Sequence, residues 1–175
     1  MFNQAIRLST VENGKPEGWN EYWITGNTVI GGDYSNNIET CFGKYLEPYM
    51  KIMHKKKLKD KILYVLPDGS AFAFSKSFIR DVFFYPKDAE KCMARTNRKG
   101  ICEFSFIFYP MGPEPKWKYH YGKGLEVYLH YWDGSKQGLY SKGLYNCKTS
   151  GEYCTAIIKN NGWKIPNDYP RKIQY

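Results

Sequence analysis

Two pairs of cysteines at short spacing place the strongest constraint on how this chain can fold. Cys147 and Cys154 are seven positions apart with Gly151 between them, and Cys92 and Cys102 are ten positions apart. Because glycine lets the backbone reverse direction, a disulfide between Cys147 and Cys154 would close a small surface loop. Structural disulfides persist in oxidising compartments, so the sequence predicts an extracytoplasmic protein with the disulfides Cys147–Cys154 and Cys92–Cys102.

Zinc binding is the alternative use of clustered cysteines. Neither pair has the two-residue gap that lets both sulfurs of a zinc knuckle reach one metal, and the three histidines lie elsewhere in the sequence. Zinc therefore ranks below the disulfides, and we expect no metal or other cofactor. The fifth cysteine, Cys41, falls within a predicted helix, where we expect it to act as a small buried hydrophobic residue.

Composition favours one domain built around aromatic side chains. The 175 residues include 16 tyrosines, 10 phenylalanines and 5 tryptophans, mostly in short runs bounded by glycine, proline and aspartate. Such runs are typical of strands rather than of long helices. The length suits a single core, and no linker rich in serine, glycine or proline divides the chain, so we expect one globular domain over residues 1–175.

Two helices are predicted before the strands begin. The first covers residues 1–13, and four of its side chains fall on one side, namely Phe2, Ala5, Ile6 and Ser9. No capping residue precedes this helix, which leaves two interpretations open: the end of a longer helix, or a plain N-terminal helix. The second helix has an apolar face, contains Pro48 as a kink, and ends in the basic run 54–61.

From residue 62 onwards the apolar side chains alternate, which is typical of strands. Strands are predicted at 62–66 and 71–74, joined by a turn, and then at 78–85, 103–109 and 125–132. Residues 77–82 are equally compatible with a turn of helix. Asp133-Gly134 is expected to turn the last strand towards Leu139 and Tyr140. Helices followed by antiparallel strands and a disulfide-bearing tail define an α+β fold class.

The C-terminal tail is predicted to fasten the end of the chain. Residues 155–158 form an apolar run suited to a turn or two of helix, and Asn161-Gly162 is a pair that ends helices. Trp163 and Ile165 follow it with large apolar side chains, which we expect to anchor the tail.

The charge balance leaves two explanations open. The 26 lysines and arginines against 17 acidic residues give a formal charge of +9, which suits an anionic partner but also keeps a protein soluble. The excess is spread along the chain rather than concentrated in a dense patch. The residues predicted to contact an anionic ligand lie in two basic segments: Lys55, Lys56 and Lys57 at the end of the second helix, and Arg95, Arg98 and Lys99 within the Cys92–Cys102 loop. A solvated helix end is the other explanation for the first segment.

No catalytic site is predicted. The chain has no glycine-rich phosphate loop, no His-Glu-x-x-His and no Gly-x-Ser-x-Gly. Thiol catalysis by Cys41 would need a histidine partner, and no local motif supplies one. Glu103 and Glu126 could form a carboxylate pair for glycoside hydrolysis, but the sequence does not give the distance between them. The sequence also contains neither a run of about twenty apolar residues nor a signal peptide. We expect a protein that is not an enzyme.

The two ends of the chain and one helix resemble a known class of proteins. The matching segments are Trp132-Asp-Gly134, Asn146-Cys147, 153–158 and 161–170, together with 11–14 and 45–52 near the N-terminus. They resemble bacterial type IV pilin-like proteins and type II secretion pseudopilins that have a prepilin-type N-terminus. Residues 76–120 are similar only loosely, and the cleavage motif of the family is absent.

The resemblance implies a structural subunit of an extracytoplasmic pilus or type II secretion pseudopilus. In that family the first half of a long helix is apolar, holds the subunit in the inner membrane and later forms the filament core. Its second half packs on an antiparallel sheet, and residues 1–13 would be the stub of that half. The partners would be like or related pilin subunits, met through the apolar helix, in a filament at the cell surface or in the periplasm.

A second function stays open alongside the filament subunit. The chain would then be an extracytoplasmic binding module that takes an anionic ligand such as DNA or glycan through its basic and aromatic loops. Some pseudopilins bind calcium in a C-terminal loop, and Asn161, Asn167 or Asp168 could supply oxygen ligands, although turn and cap roles account for these residues equally well.

Overall fold

A single antiparallel sheet organises the computed structural model of this chain, which describes residues 1–19, 34–58, 61–75, 80–110 and 115–175. Its six strands are hydrogen-bonded in chain order, each to the next. The strands are β1 (His54–Lys57), β2 (Ile62–Val65), β3 (Ala71–Phe74), β4 (Asp81–Tyr85), β5 (Phe104–Phe108) and β6 (Leu125–Val127). The predicted α+β class is confirmed.

Helices precede and follow the sheet, and one lies between β4 and β5. They are α1 (Phe2–Asn13), α2 (Tyr34–Tyr45), α3 (Ala89–Met93), α4 (Lys136–Gly138), α5 (Leu144–Thr149) and α6 (Cys154–Asn160). Short 3-10 turns lie at Pro16–Gly18 and Glu47–Tyr49, and a π-helical segment, Leu139–Gly143, joins α4 to α5. Within the described residues, no helix combines the length and the apolar composition needed to cross a membrane.

Strand register gathers most of the aromatic residues of the strands on one face of the sheet. Phe72 lies opposite Tyr64 on one side and Phe84 on the other, and Phe84 lies opposite Phe104. Because strand side chains alternate between faces, these aromatic residues share one face, which we call the first face. It carries Ile62, Tyr64, Phe72, Phe74, Val82, Phe84, Phe104, Phe106, Phe108, Leu125 and Val127.

Helices α1 and α2 cover one half of the first face. The Phe2 ring meets the rings of Phe72 and Phe108 edge to face, at centroid distances of 5.9 and 6.4 Å. From α2, Phe42 lies 4.5 Å from Tyr64, a tilted aromatic contact. Edge-to-face aromatic pairs are favourable beyond the area that they bury. The predicted inner side of the first helix is therefore the side that packs on the sheet.

Smaller side chains on the second face leave room for the segment between β4 and β5. Leu63, Ala71 and Ala73 lie there and form a buried cluster with Ala89 of α3. The disulfide between Cys92 and Cys102 belongs to the same cluster. The covalent loop is thus packed against the sheet and does not project from it.

A buried ion pair holds this loop. Glu103 is 1% exposed and accepts hydrogen bonds from Arg98 Nε at 2.6 Å and from the buried Tyr85 hydroxyl at 2.8 Å. Burial and the neighbouring carboxylate raise the pKa of Tyr85 far above its usual range, so this hydroxyl remains a donor. Glu103 directly precedes β5, and Tyr85 is the last residue of β4, so these contacts join the Arg98 loop to both strands.

Two predicted element ends are wrong. Helix α2 stops at Tyr45, before Pro48, and the basic run begins a strand, β1, that pairs with β2 from His54 opposite Val65. Proline cannot donate the hydrogen bond that a continuing helix needs. Pairing with β2 then holds residues 54–57 in an extended conformation. The spacing of apolar side chains in the sequence gives no indication of this pairing.

The last predicted strand is also too long. β6 ends at Val127, and the chain after Asp133-Gly134 is helical and contains Leu139 and Tyr140. Ser135 explains the change, because its hydroxyl accepts the Gly138 N–H at 2.9 Å and so caps α4. The third predicted strand, 78–85, is confirmed over 81–85, which form β4. Residues 76–79 lie outside the described residues, and with them the first part of the alternative helical turn at 77–82.

We predict that Glu103→Ala lowers the free energy of unfolding by about 3 kcal/mol, because it takes a carboxylate away from Arg98 and from a buried hydroxyl. The control is Glu152→Ala, which breaks the more exposed pair with Lys99 and should cost about 0–1 kcal/mol. Urea unfolding measures both values. Equal losses in the two variants would contradict the structural role of Glu103.

Candidate functional site

The first predicted basic segment lies on the edge strand β1. Lys55 Nζ is 2.9 Å from the Glu47 carboxylate, and Lys56 Nζ is 2.6 Å from Glu90 on α3. Lys57 is exposed at the end of the strand. Lysines on an edge strand discourage pairing with the sheet of another molecule. This segment thus has a structural role that requires no anionic ligand.

The second basic segment is held in the same way. Arg95 Nη1 donates to Gln174 Oε1 at 2.7 Å, Arg98 belongs to the buried pair with Glu103, and Lys99 Nζ is 2.8 Å from Glu152. The Lys56–Glu90 contact joins β1 to α3, the helix that precedes this segment. Five of the six predicted side chains therefore make intramolecular contacts, with which an anionic ligand would have to compete.

The prediction of disulfide bonds is confirmed, although one of them lies elsewhere than expected. Cys92 is bonded to Cys102, and Cys147 to Cys154. The second bond is not in a surface loop: both of its cysteines are fully buried, and it links α5 to the first residue of α6. The two disulfides indicate an oxidising, extracytoplasmic environment. Cys41 is buried and takes part in neither bond.

Polar contacts, rather than the predicted apolar anchor, fasten the C-terminal tail. Arg171 donates to the carbonyl oxygens of Cys147 and Thr149, and Tyr169 donates to the carbonyl oxygen of Gly100 at 2.7 Å. Trp163, by contrast, is 59% exposed and Ile165 is 46% exposed. These two side chains were predicted to be anchors: the Trp163 ring stacks on Phe106 at a centroid distance of 6.4 Å, but both side chains stay partly exposed and form part of a surface.

That surface is an apolar groove on the first face of the sheet, between α1 and the tail. Phe84 and Phe106 form its floor, with ring centroids 6.4 Å apart. One end, about 190 Å³, is lined by Met1, Phe2 and Met50, and the other, about 200 Å³, is lined by Trp163 and Ile165, among others. The Met1 end is lined almost entirely by apolar atoms, and the other end, which includes Thr155 and Tyr175, is mostly apolar. The groove therefore suits an apolar segment of a partner better than it suits catalysis.

Helix α1 continues this apolar surface on its outer side. Met1, Leu8 and Val11 are exposed, and Val11 is 83% exposed. Spacings of seven and three residues place these side chains on one side of the helix, apart from the side that packs on the sheet. We call them the outer stripe of α1. A helix that is apolar on two sides is suited to packing against two surfaces.

A second concave surface, which we call the aromatic cleft, is formed by Tyr119, Tyr131, Trp132, Asp133 and Lys118. Its main cavity is about 480 Å³, and a neighbouring one of about 230 Å³ shares Tyr131, Trp132 and Asp133. The rings of Tyr119 and Trp132 are 4.5 Å apart. The Trp132 indole N–H donates to Ser135 O at 2.8 Å, which fixes the orientation of the ring.

The wall beside the cleft contains a buried histidine. His120 Nε2 donates to Leu129 O at 2.7 Å, since a carbonyl can only accept, and no described group bonds to its Nδ1. Burial lowers the pKa of His120, because protonation would place an unpaired N–H in the interior. The imidazole is thus a neutral structural group, and it contacts the rings of Trp117 and Tyr119.

Comparison with known proteins identifies a family and no more. The sequence profile of a family of unknown function, DUF6613, matches residues 1–173. The chain belongs to this family. No curated protein and no solved structure gave a match to the DUF6613 chain. Its function must therefore be argued from its own surfaces.

Sequence reasoning missed the aromatic cleft of this DUF6613 chain. Tyr119, Tyr131 and Trp132 lie in segments that resemble strand or turn, and nothing in their spacing shows that they meet. The considered carboxylate pair is not brought together as a site either: Glu103 is paired with Arg98, whereas Glu126 is paired with Lys159. The one available signal was the density of tyrosine and tryptophan between residues 117 and 132.

We predict a pH dependence of stability that arises from His120. Its folded pKa is below its ordinary value of 6.5, so its contribution to stability is fully present above pH 6.5 and is lost as the pH falls below that value. The loss is at most about 1.4 kcal/mol per pH unit. Between pH 7.5 and 5.5, the unfolding free energy of the native chain should fall more than that of His120→Phe. The same fall in both proteins would show that His120 does not titrate in this way.

Proposed function

We propose that this chain is the globular part of a non-catalytic structural subunit of an extracytoplasmic filament, either a pilus or a type II secretion pseudopilus. The observation that carries the proposal is the two-sided character of α1. One side packs on the sheet through Phe2, Ala5 and Ile6, while Leu8 and Val11 of the outer stripe are exposed. Such a helix is suited to contact a neighbouring subunit while it supports its own sheet.

The energetics of the outer stripe support this role. Val11 is 83% exposed and Leu8 is 46% exposed, so both would gain from further burial at a contact, where fully burying such a side chain is worth about 1.5–3 kcal/mol. Leu8 and Val11 are three residues apart on one side of α1, and Met1, which precedes the helix, lines the apolar groove. Exposed apolar side chains of this kind are typical of protein contact sites.

The architecture fits the proposed class as well. An antiparallel sheet in chain order lies under a helix, and a disulfide fastens the C-terminal region, which is what the resemblance to pilin-like proteins implies. One disulfide cross-links the loop between β4 and β5, the other cross-links the C-terminal helices, and polar contacts of Arg171 and Tyr169 hold these two regions together. These features suit a subunit that must stay folded outside the cytoplasm.

Anionic ligand binding through the two basic segments is the weaker candidate. Lys55, Lys56 and Lys99 are each within 3 Å of a carboxylate of the same chain. Binding of DNA would release counterions only where lysines or arginines are available to phosphate. Their acidic neighbours reduce that availability, so we favour the filament subunit.

The proposal is tested with the full-length gene product in its own cells. We predict that Leu8→Glu combined with Val11→Glu abolishes surface or periplasmic filaments, as seen by electron microscopy and by recovery of sheared material, because charged side chains would have to be buried at the contact. The matched control is Tyr145→Glu, which also replaces an exposed apolar residue, but on α5.

Two results would overturn the proposal. Filaments with normal abundance in the double variant would show that the outer stripe makes no subunit contact. A gene product without an apolar helix continuous with α1 would remove the filament core that the proposal requires. Thermal unfolding of both variants provides the folding check, and we expect little change because the substituted side chains are exposed.

A further inference from the structure

We propose that the aromatic cleft binds an acidic saccharide. This inference goes beyond the filament role and does not depend on it, because the cleft is built from residues 115–133 and the outer stripe from α1. The main cavity of about 480 Å³ is within the range of about 300–1,000 Å³ that is usual for ligand sites.

The backbone at Tyr131 indicates that the cleft has a function. Tyr131 has a φ of 54°, in the left-handed region that bulky residues avoid, and its side chain is 62% exposed. Its N–H donates to Lys116 O at 2.8 Å, which helps to hold this conformation. The ring packs edge to face on His130 but is mostly exposed, so the strained conformation adds little to the core, and such strain concentrates at binding sites.

The orientation of the Trp132 ring favours a ligand that stacks on its aromatic face. The Trp132 indole N–H is bonded to Ser135 O, so a ligand meets mainly the face of the ring. Flat aromatic faces suit the apolar C–H face of a pyranose ring, which is amphipathic like the rings themselves. Hydrogen bonds from Ser135 lower the pKa of the Asp133 carboxyl, and the resulting carboxylate can accept hydrogen bonds from sugar hydroxyls.

Local charge selects the type of saccharide. Lys118 lines the cleft, and Lys123 Nζ lies 3.3 Å from the centroid of the Tyr119 ring. Among the described residues, the Lys118 ammonium in the cleft and the Lys123 ammonium beside it on the Tyr119 ring outnumber the Asp133 carboxylate, so the cleft favours a ligand that carries an acidic group. The same charges disfavour a quaternary ammonium ligand, the other common occupant of aromatic sites.

Nucleic acid fits less well. Single-stranded nucleic acid binds along a basic groove that follows several phosphates, with bases stacked in succession. The cleft is instead a compact cavity in which Asp133 would lie close to the phosphates. We therefore assign it to a saccharide with carboxylate groups, and nucleic acid binding becomes an outcome of the test.

The experiment is calorimetric and NMR titration of the 175-residue chain with a hexasaccharide of alternating glucuronic acid and N-acetylglucosamine. The neutral probe is a hexasaccharide of N-acetylglucosamine alone. Tyr131→Asn removes the ring and keeps a residue that tolerates positive φ. We expect it to weaken binding of the acidic probe at least tenfold. The control, Tyr145→Asn, removes an exposed tyrosine from α5 and should bind as the native chain does.

A second variant, Lys118→Gln, tests whether charge selects the ligand, and it serves as an independent test if Tyr131→Asn does not fold. Lys118→Gln should reduce the preference for the acidic over the neutral probe at least threefold, and the Trp132 indole N–H signal should shift on binding in the native chain. Absence of saturable binding at millimolar probe would overturn the proposal. So would equal affinity for the neutral probe, or tighter binding of single-stranded DNA that Tyr131→Asn abolishes.

Discussion

The aromatic first face of the sheet is the constraint on which the rest of the structure depends. Its large rings must be covered, and no single element described here covers them all. Phe2 of α1 and Phe42 of α2 pack on the rings of β2 and β3, while α6 packs on β5 and β6. Phe106 of β5 contacts both groups of buried residues. The apolar groove is the gap between these two covers, floored by Phe84 and Phe106.

The C-terminal cover stays in place through close backbone approach and hydrogen bonds to the loop between β4 and β5. Gly100 and Gly151 have positive φ, and a side chain at Gly151 would overlap the carbonyl oxygen of Lys99. A side chain at Gly100 would likewise overlap the sulfur of Cys154. Glycine at both positions lets the loop between β4 and β5 touch the α5–α6 connection. Arg171 then closes the arrangement from the tail through its bond to Asn97.

Two surfaces of different chemistry result from this scaffold. The outer stripe of α1 and the apolar groove offer hydrocarbon surface, which suits the contact between protein subunits. The aromatic cleft offers exposed rings with lysines and a carboxylate, which suit a polar ligand. Because the two surfaces use different residues, an assembling subunit could keep its cleft while α1 is covered. The disulfides make both uses compatible with an extracytoplasmic setting.

The chain also shows why some elements were predictable and others were not. The strands β2, β3 and β5 are short and almost entirely apolar runs, and the inner side of α1 has helical spacing, so each carries its own local signal. The cysteine pairs were predictable because short spacing limits which sulfurs can meet. The strand β1 carries no such signal, since four exposed residues, His54 to Lys57, become a strand only through hydrogen bonds to β2.

The sequence by itself determined the α+β class, the two disulfides and the side of α1 that is buried. Only the tertiary structure decided that Glu103 is buried with Arg98, that Trp163 is exposed beside the groove, and that Tyr119, Tyr131 and Trp132 converge. The physical reason is range. Periodicity and turn chemistry act over a few neighbouring residues, whereas burial, ion pairing and the shape of a cleft depend on residues that are distant in sequence and meet only after the sheet has formed.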